Sequence, residues 1–65
     1  MNTGIKWFVE IIYERRPEPR LEVCESLRAA REIAEQAAAE VDFEPTNDSI
    51  AIYRGEDWAS AKLFE

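Results

Sequence analysis

The sequence contains no histidine, one cysteine (Cys24) and two glycines (Gly4 and Gly55) in 65 residues. Each shortage removes a class of chemistry. Without His there is no imidazole to act as a general base or to ligate zinc. One Cys cannot close an internal disulfide, and no base stands ready to activate it, so a structural thiol is expected. Two isolated glycines make no phosphate-cradling Gly-rich loop. Long apolar runs are also missing. No stretch approaches the roughly 20 apolar residues of a membrane helix. The opening "MNTGIKWFVEIIYE" lacks a basic end and is broken by Lys6 and Glu10, unlike a secretory leader. A protein of the reducing cytosol, with no membrane contact, is the expectation.

What is present belongs to a folded chain. The apolar share is 46%, with two Trp, two Tyr and three Phe, which is too much for a disordered segment. The length allows a single domain over residues 1–65 with one small core. Such a core without disulfide or metal is modestly stable, and pairing with a second chain adds to it. A catalytic cavity of the usual size has little room here. No enzyme and no cofactor are expected.

The formal charge is −6, and it is uneven. Residues 1–31 hold six bases and five acids, and residues 54–65 two bases and three acids. Residues 32–53 hold six acids and no base. This balance is unsuited to direct nucleic-acid binding by phosphate neutralisation, and suited to meeting a basic protein surface. The "ERRPEPR" turn interleaves Arg15, Arg16 and Arg20 with Glu14 and Glu18, so it reads as a charged, solvated turn.

Residues 5–14 are β-branched and aromatic and read as a strand. Alternation places Ile5, Trp7, Val9, Ile11 and Tyr13 on one face. Residues 15–19, with two prolines, form a turn. Residues 20–25 return as a second strand, with Leu21 and Val23 on the core side. Ser26 reads as an N-cap, and the helical period over Leu27 to Val41 gathers Leu27, Ala30, Ile33, Ala34, Ala37 and Val41 on one face. On the other face Arg28–Glu32 and Arg31–Glu35 are i,i+4 pairs. Residues 43–48 form a loop, 49–54 a strand, 55–57 a turn and 58–65 a last strand. The expected class is α+β: a small antiparallel sheet with one helix on one face, ββαββ, or βαββ if residues 20–25 do not pair. Ala59, Ala61 and Leu63 join the covered face in this reading.

Two surfaces stand out. The first is acidic: Glu35, Glu40, Asp42, Glu44 and Asp48, with Glu56 and Asp57 nearby in the next turn. A helix C-terminus favours bases, so acids gathered there break a local rule, which is a mark of functional sites. The plain alternative is a solvated face that keeps a small domain soluble. An EF-hand loop starting at Asp42 fails, because its sixth and twelfth positions are Asn47 and Tyr53 instead of Gly and Glu. The second surface is the sheet face away from the helix, where Phe8, Ile12, Tyr53, Trp58 and Phe64 form an apolar patch. It suits a homodimer or a docked partner, unless a one-residue register shift turns these side chains inward.

In character, the acidic block 32–48 and the pair Glu56–Asp57 on a tiny, cysteine-poor chain resemble phage-encoded inhibitors of bacterial defence, including anti-CRISPR proteins. The resemblance implies a protein that occupies the basic, nucleic-acid-binding surface of a partner complex. The alternatives are a homodimeric or accessory interaction module using the aromatic face, or an antitoxin-like neutraliser of a basic toxin.

Overall fold

The computed structural model describes residues 4–65; the first three residues, where the opening stretch begins, lie outside it. Five elements follow in the order ββαββ: β1 (Lys6–Ile12), β2 (Arg20–Cys24), α1 (Leu27–Ala38), β3 (Ser49–Gly55) and β4 (Lys62–Leu63). The strands form one antiparallel sheet in the order β2-β1-β3-β4, and α1 packs on one face of it. The chain is an α+β domain.

β1 is central because it carries the densest apolar pattern. Val9, Ile11 and Tyr13 are buried on the helix side with Cys24, Ala30, Ala37 and Ile52. Ala30 and Ala37 have no side chain beyond Cβ, so the helix backbone can lie close to the sheet. The Ser26 Oγ accepts the Ala29 N–H at 3.1 Å and starts the helix as an N-cap.

The helix ends at Ala38, earlier than the periodicity predicts. Val41, expected on the inner face, is fully exposed, and Phe43 instead reaches the core and meets the Tyr13 ring edge-on at 6.3 Å. The Glu40 N–H turns back to the Ala37 carbonyl and the Phe43 N–H to the Glu40 carbonyl, so the chain leaves the helix in tight turns.

β2 pairs, but with the opposite face inward. Cys24 lies across from Trp7 and Val23 across from Phe8. Leu21 and Val23 therefore sit on the face away from the helix, and Cys24 is the buried residue. The last strand shrinks to two residues, because Asp57 Oδ1 accepts both the Ser60 N–H (2.9 Å) and its hydroxyl (2.7 Å) and bends residues 58–60 into a turn. Its facing is also reversed. Leu63 lies across from Tyr53 on the open face, and Phe64 stacks edge-on with Trp7 at 4.9 Å on the helix side.

Gly55 marks the closest approach of β3 to the returning chain. A Cβ placed there meets the Ala61 Cα at 2.7 Å and its backbone nitrogen at 3.1 Å. Gly55→Val is expected to cost about 1–3 kcal/mol by overpacking. The detached 58–65 arm should also shift the tryptophan emission to the red, in a thermal melt followed by fluorescence.

Candidate interaction surfaces

The acidic residues differ in their surroundings, and one of them is not on the surface. Asp48 is buried at 8% exposure. Its Oδ1 accepts the Glu14 N–H and its Oδ2 the Glu44 N–H, each at 2.9 Å. Those two backbone bonds, aided by Arg15 and Arg16, hold its carboxyl below the usual range. Asp42 takes an ion pair from Arg16 at 3.0 Å, and its carbonyl accepts from Arg15. Glu40 accepts the Tyr13 hydroxyl at 3.2 Å and lies 3.7 Å from Arg20. The arginines of the β1–β2 turn thus fold over the end of the helix. They supply the positive charge that the helix end itself lacks.

Glu44 accepts the Asn47 side-chain amide at 3.0 Å. Asp57 is held by Ser60, which lowers its carboxyl pKa. Glu35 and Glu56 are exposed. The expected Arg31–Glu35 pair does not form, because Arg31 reaches the Glu65 carboxylate instead. Of the seven carboxylates singled out in the sequence, Glu35 and Glu56 are the two whose side chains form no hydrogen bond or ion pair within the described chain.

The open face of the sheet is more coherent. The ladder places Val23, Phe8, Tyr53 and Leu63 in a single row across all four strands. At the usual strand spacing this row spans about 15 Å. Ile12 and Leu21 extend the patch. Trp58, carried by the Asp57–Ser60 turn, folds back over the row, with its ring 4.9 Å from Tyr53 and 5.7 Å from Phe8. Phe8, expected to be exposed, is therefore buried beneath Trp58 and its neighbours. Ile12, Leu21, Val23, Trp58 and Leu63 remain 39–65% exposed. Leu21 and Val23 were missed as members of this face. The signal for them is the Cys24–Leu27 junction: a buried Cys directly before the helix fixes the opposite phase.

The patch has polar edges. Tyr53 donates to Glu10 Oε1 at 3.3 Å, and burial together with the Glu10 charge raises the phenol pKa. Lys6 is exposed at one end of the same strand face. An apolar centre with a polar rim is the anatomy of a protein–protein contact. Elsewhere the surface offers less. Burial, with Glu22 nearby, pushes the Cys24 thiol up and keeps it protonated. No group of three or more Cys, Asp and Glu side chains among the described residues is placed to hold a metal ion. No helix among them is long and apolar enough to cross a membrane.

No known protein family, curated protein or solved structure matches this chain.

Proposed function

We propose that this chain is a small protein-binding module that docks on a partner protein through the open sheet face. The observation that carries the reading is the four-strand apolar row, with five large apolar side chains left exposed on a protein of only 65 residues. The net charge of −6 steers it toward a basic partner and away from nucleic acid itself. A partner surface that binds nucleic acid combines basic charge with apolar or aromatic platforms, and occupying it makes the module an inhibitor. A second copy of the chain is the competing occupant of the same face.

The test is the double variant Val23→Lys, Leu63→Lys. Both residues are more than half exposed, so the fold tolerates the change. Burying each aliphatic side chain contributes about 1.5 kcal/mol or more, so the pair should weaken partner binding on the order of 100-fold. The readout is capture from lysate at low and high salt, beside sedimentation equilibrium of the chain alone. Loss of one partner on mutation, with weakening in salt, supports docking on a basic protein. A mass that doubles with concentration for wild type but not for the variant assigns the face to a homodimer. Unchanged partners and a monomeric mass for both proteins overturn the reading.

A further inference from the structure

Glu10 stands at the edge of the apolar row on the open sheet face, and further apolar side chains lie beyond it. It is half-buried, with Phe8 and Ile12 on either side of it along β1. Leu21 lies across from it on β2 and Ala51 on β3. Ala51 has no side chain beyond Cβ, so little stands beside the carboxylate on that strand. The Tyr53 hydroxyl donates to Oε1 at 3.3 Å. No other hydrogen bond or ion pair reaches the Glu10 carboxylate among the described residues.

The bases of the chain are directed elsewhere. Arg20 lies across from Ile11, Arg54 across from Trp7 and Lys62 across from Arg54, so all three belong to the helix side of the sheet. Arg15 and Arg16 reach Asp42 over the end of α1. Lys6 shares the open face but sits four residues along the strand, about 13 Å from Glu10 at strand spacing. A purely apolar partner that covers this face strips water from a carboxylate and gives it nothing in return, which is costly. A base in the partner surface removes that cost. Arginine fits better than lysine. Its planar fork binds a carboxylate through two N–H groups, and its flat face packs on an aromatic ring such as that of Tyr53.

We infer that the partner protein places an arginine against Glu10, flanked by apolar side chains that lie on the four-strand row on one side and on Ile12 and Leu21 on the other. This rests on the open face being the docking surface, and it adds the residue that selects the partner. The apolar side chains give the contact its area, and Glu10 rejects an apolar surface that lacks the base.

The probe is an end-blocked Leu-Arg-Leu peptide, titrated into isotope-labelled protein. NMR follows the Val23 and Leu63 methyls and the Glu10 side-chain carboxyl carbon. One control peptide carries citrulline, the neutral isostere of arginine. A second keeps the arginine between two alanines. The Leu-Arg-Leu peptide should shift all three signals, and each control should bind on the order of tenfold more weakly. Glu10→Gln keeps the side-chain shape and still accepts the Tyr53 hydroxyl. It should lower the Leu-Arg-Leu affinity to that of the citrulline peptide and leave the citrulline affinity unchanged, a coupling that altered folding alone does not produce. Glu35→Gln, which removes the same charge from the helix, should bind as wild type does. Arginine and citrulline peptides that move the Val23 and Leu63 methyls at equal concentrations overturn the inference and leave the docking face standing. Tight binding of Leu-Arg-Leu by Glu10→Gln does the same. No methyl shift with any peptide overturns the inference, and the Val23→Lys, Leu63→Lys capture experiment then decides the docking reading by itself. A wild-type dimer in sedimentation equilibrium that Lys6→Gln abolishes gives Glu10 to a second copy of the chain, and also overturns the inference.

Discussion

Replacing Ile11 with Ala should leave little folded protein at room temperature. Ile11 is fully buried near the end of β1, a strand that pairs on both sides. Losing its side chain costs about 2–5 kcal/mol, the transfer term plus the cavity left behind. A core of this size supplies only about 3–5 kcal/mol in all. The buried cluster has few large members, since Ala30 and Ala37 are part of it and lie on the helix backbone, which limits collapse into the gap. The neighbouring residue is the control. Ile12 sits one position along the same strand on the opposite face at 44% exposure, so Ile12→Ala should change stability by about 0.5 kcal/mol or less. Urea titration followed by circular dichroism separates the two. An Ile11→Ala midpoint equal to wild type would show that the core is not where the sheet register places it.

That contrast reflects how much was legible in the sequence. The alternation in residues 5–14 is strong, and it correctly places Val9, Ile11 and Tyr13 under the helix. The order ββαββ and the Ser26 cap were legible for the same reason: each rests on contacts within a few residues. The phase of β2 was not. Leu21 and Val23 are the more apolar pair, so alternation alone turns them inward. Pairing with β1 turns in Cys24 instead, which lies beside the start of α1. Arg20 and Glu22 are tolerated on the helix side because an edge strand is only partly covered, and there they satisfy each other. The last strand was over-read because apolar residues at 58–64 look like a strand, while Asp57 and Ser60 three positions apart signal a turn.

The acidic block shows the limit more sharply. Read along the chain, acids at the end of α1 have no compensating base within four residues. In the fold, Arg16 reaches Asp42 across 26 positions and Arg20 approaches Glu40 across the same sheet edge. The rule that a helix end prefers positive charge is obeyed by tertiary contact instead of by local sequence. The exposed pairs contribute little each, and their effect is to narrow the acidic surface. Of the seven carboxylates singled out, those left without a hydrogen bond or ion pair among the described residues are Glu35, in the last turn of α1, and Glu56.

Asp48 leads to the second large effect, a loss of stability in acid. Its carboxylate joins the end of β1 to the loop ahead of β3 by accepting two backbone N–H groups that otherwise have no acceptor there. Those bonds favour the charged form and lower its pKa in the folded state. The folded protein therefore binds fewer protons than the unfolded chain near that pKa. The stabilisation is fully present above the unfolded value of about 3.9 and is lost as pH falls through the lower folded value. The melting temperature should hold from neutral pH to about 4 and then fall steeply as Asp48 protonates. Asp48→Asn keeps the shape but turns an amide donor toward one of the two N–H groups. The variant should melt several degrees lower at neutral pH and show a shallower acid limb. Some slope should persist, because Asp57 is lowered in the same direction by Ser60. Thermal melts of both proteins from pH 2 to 7 read this directly, and parallel acid limbs would remove Asp48 as its cause.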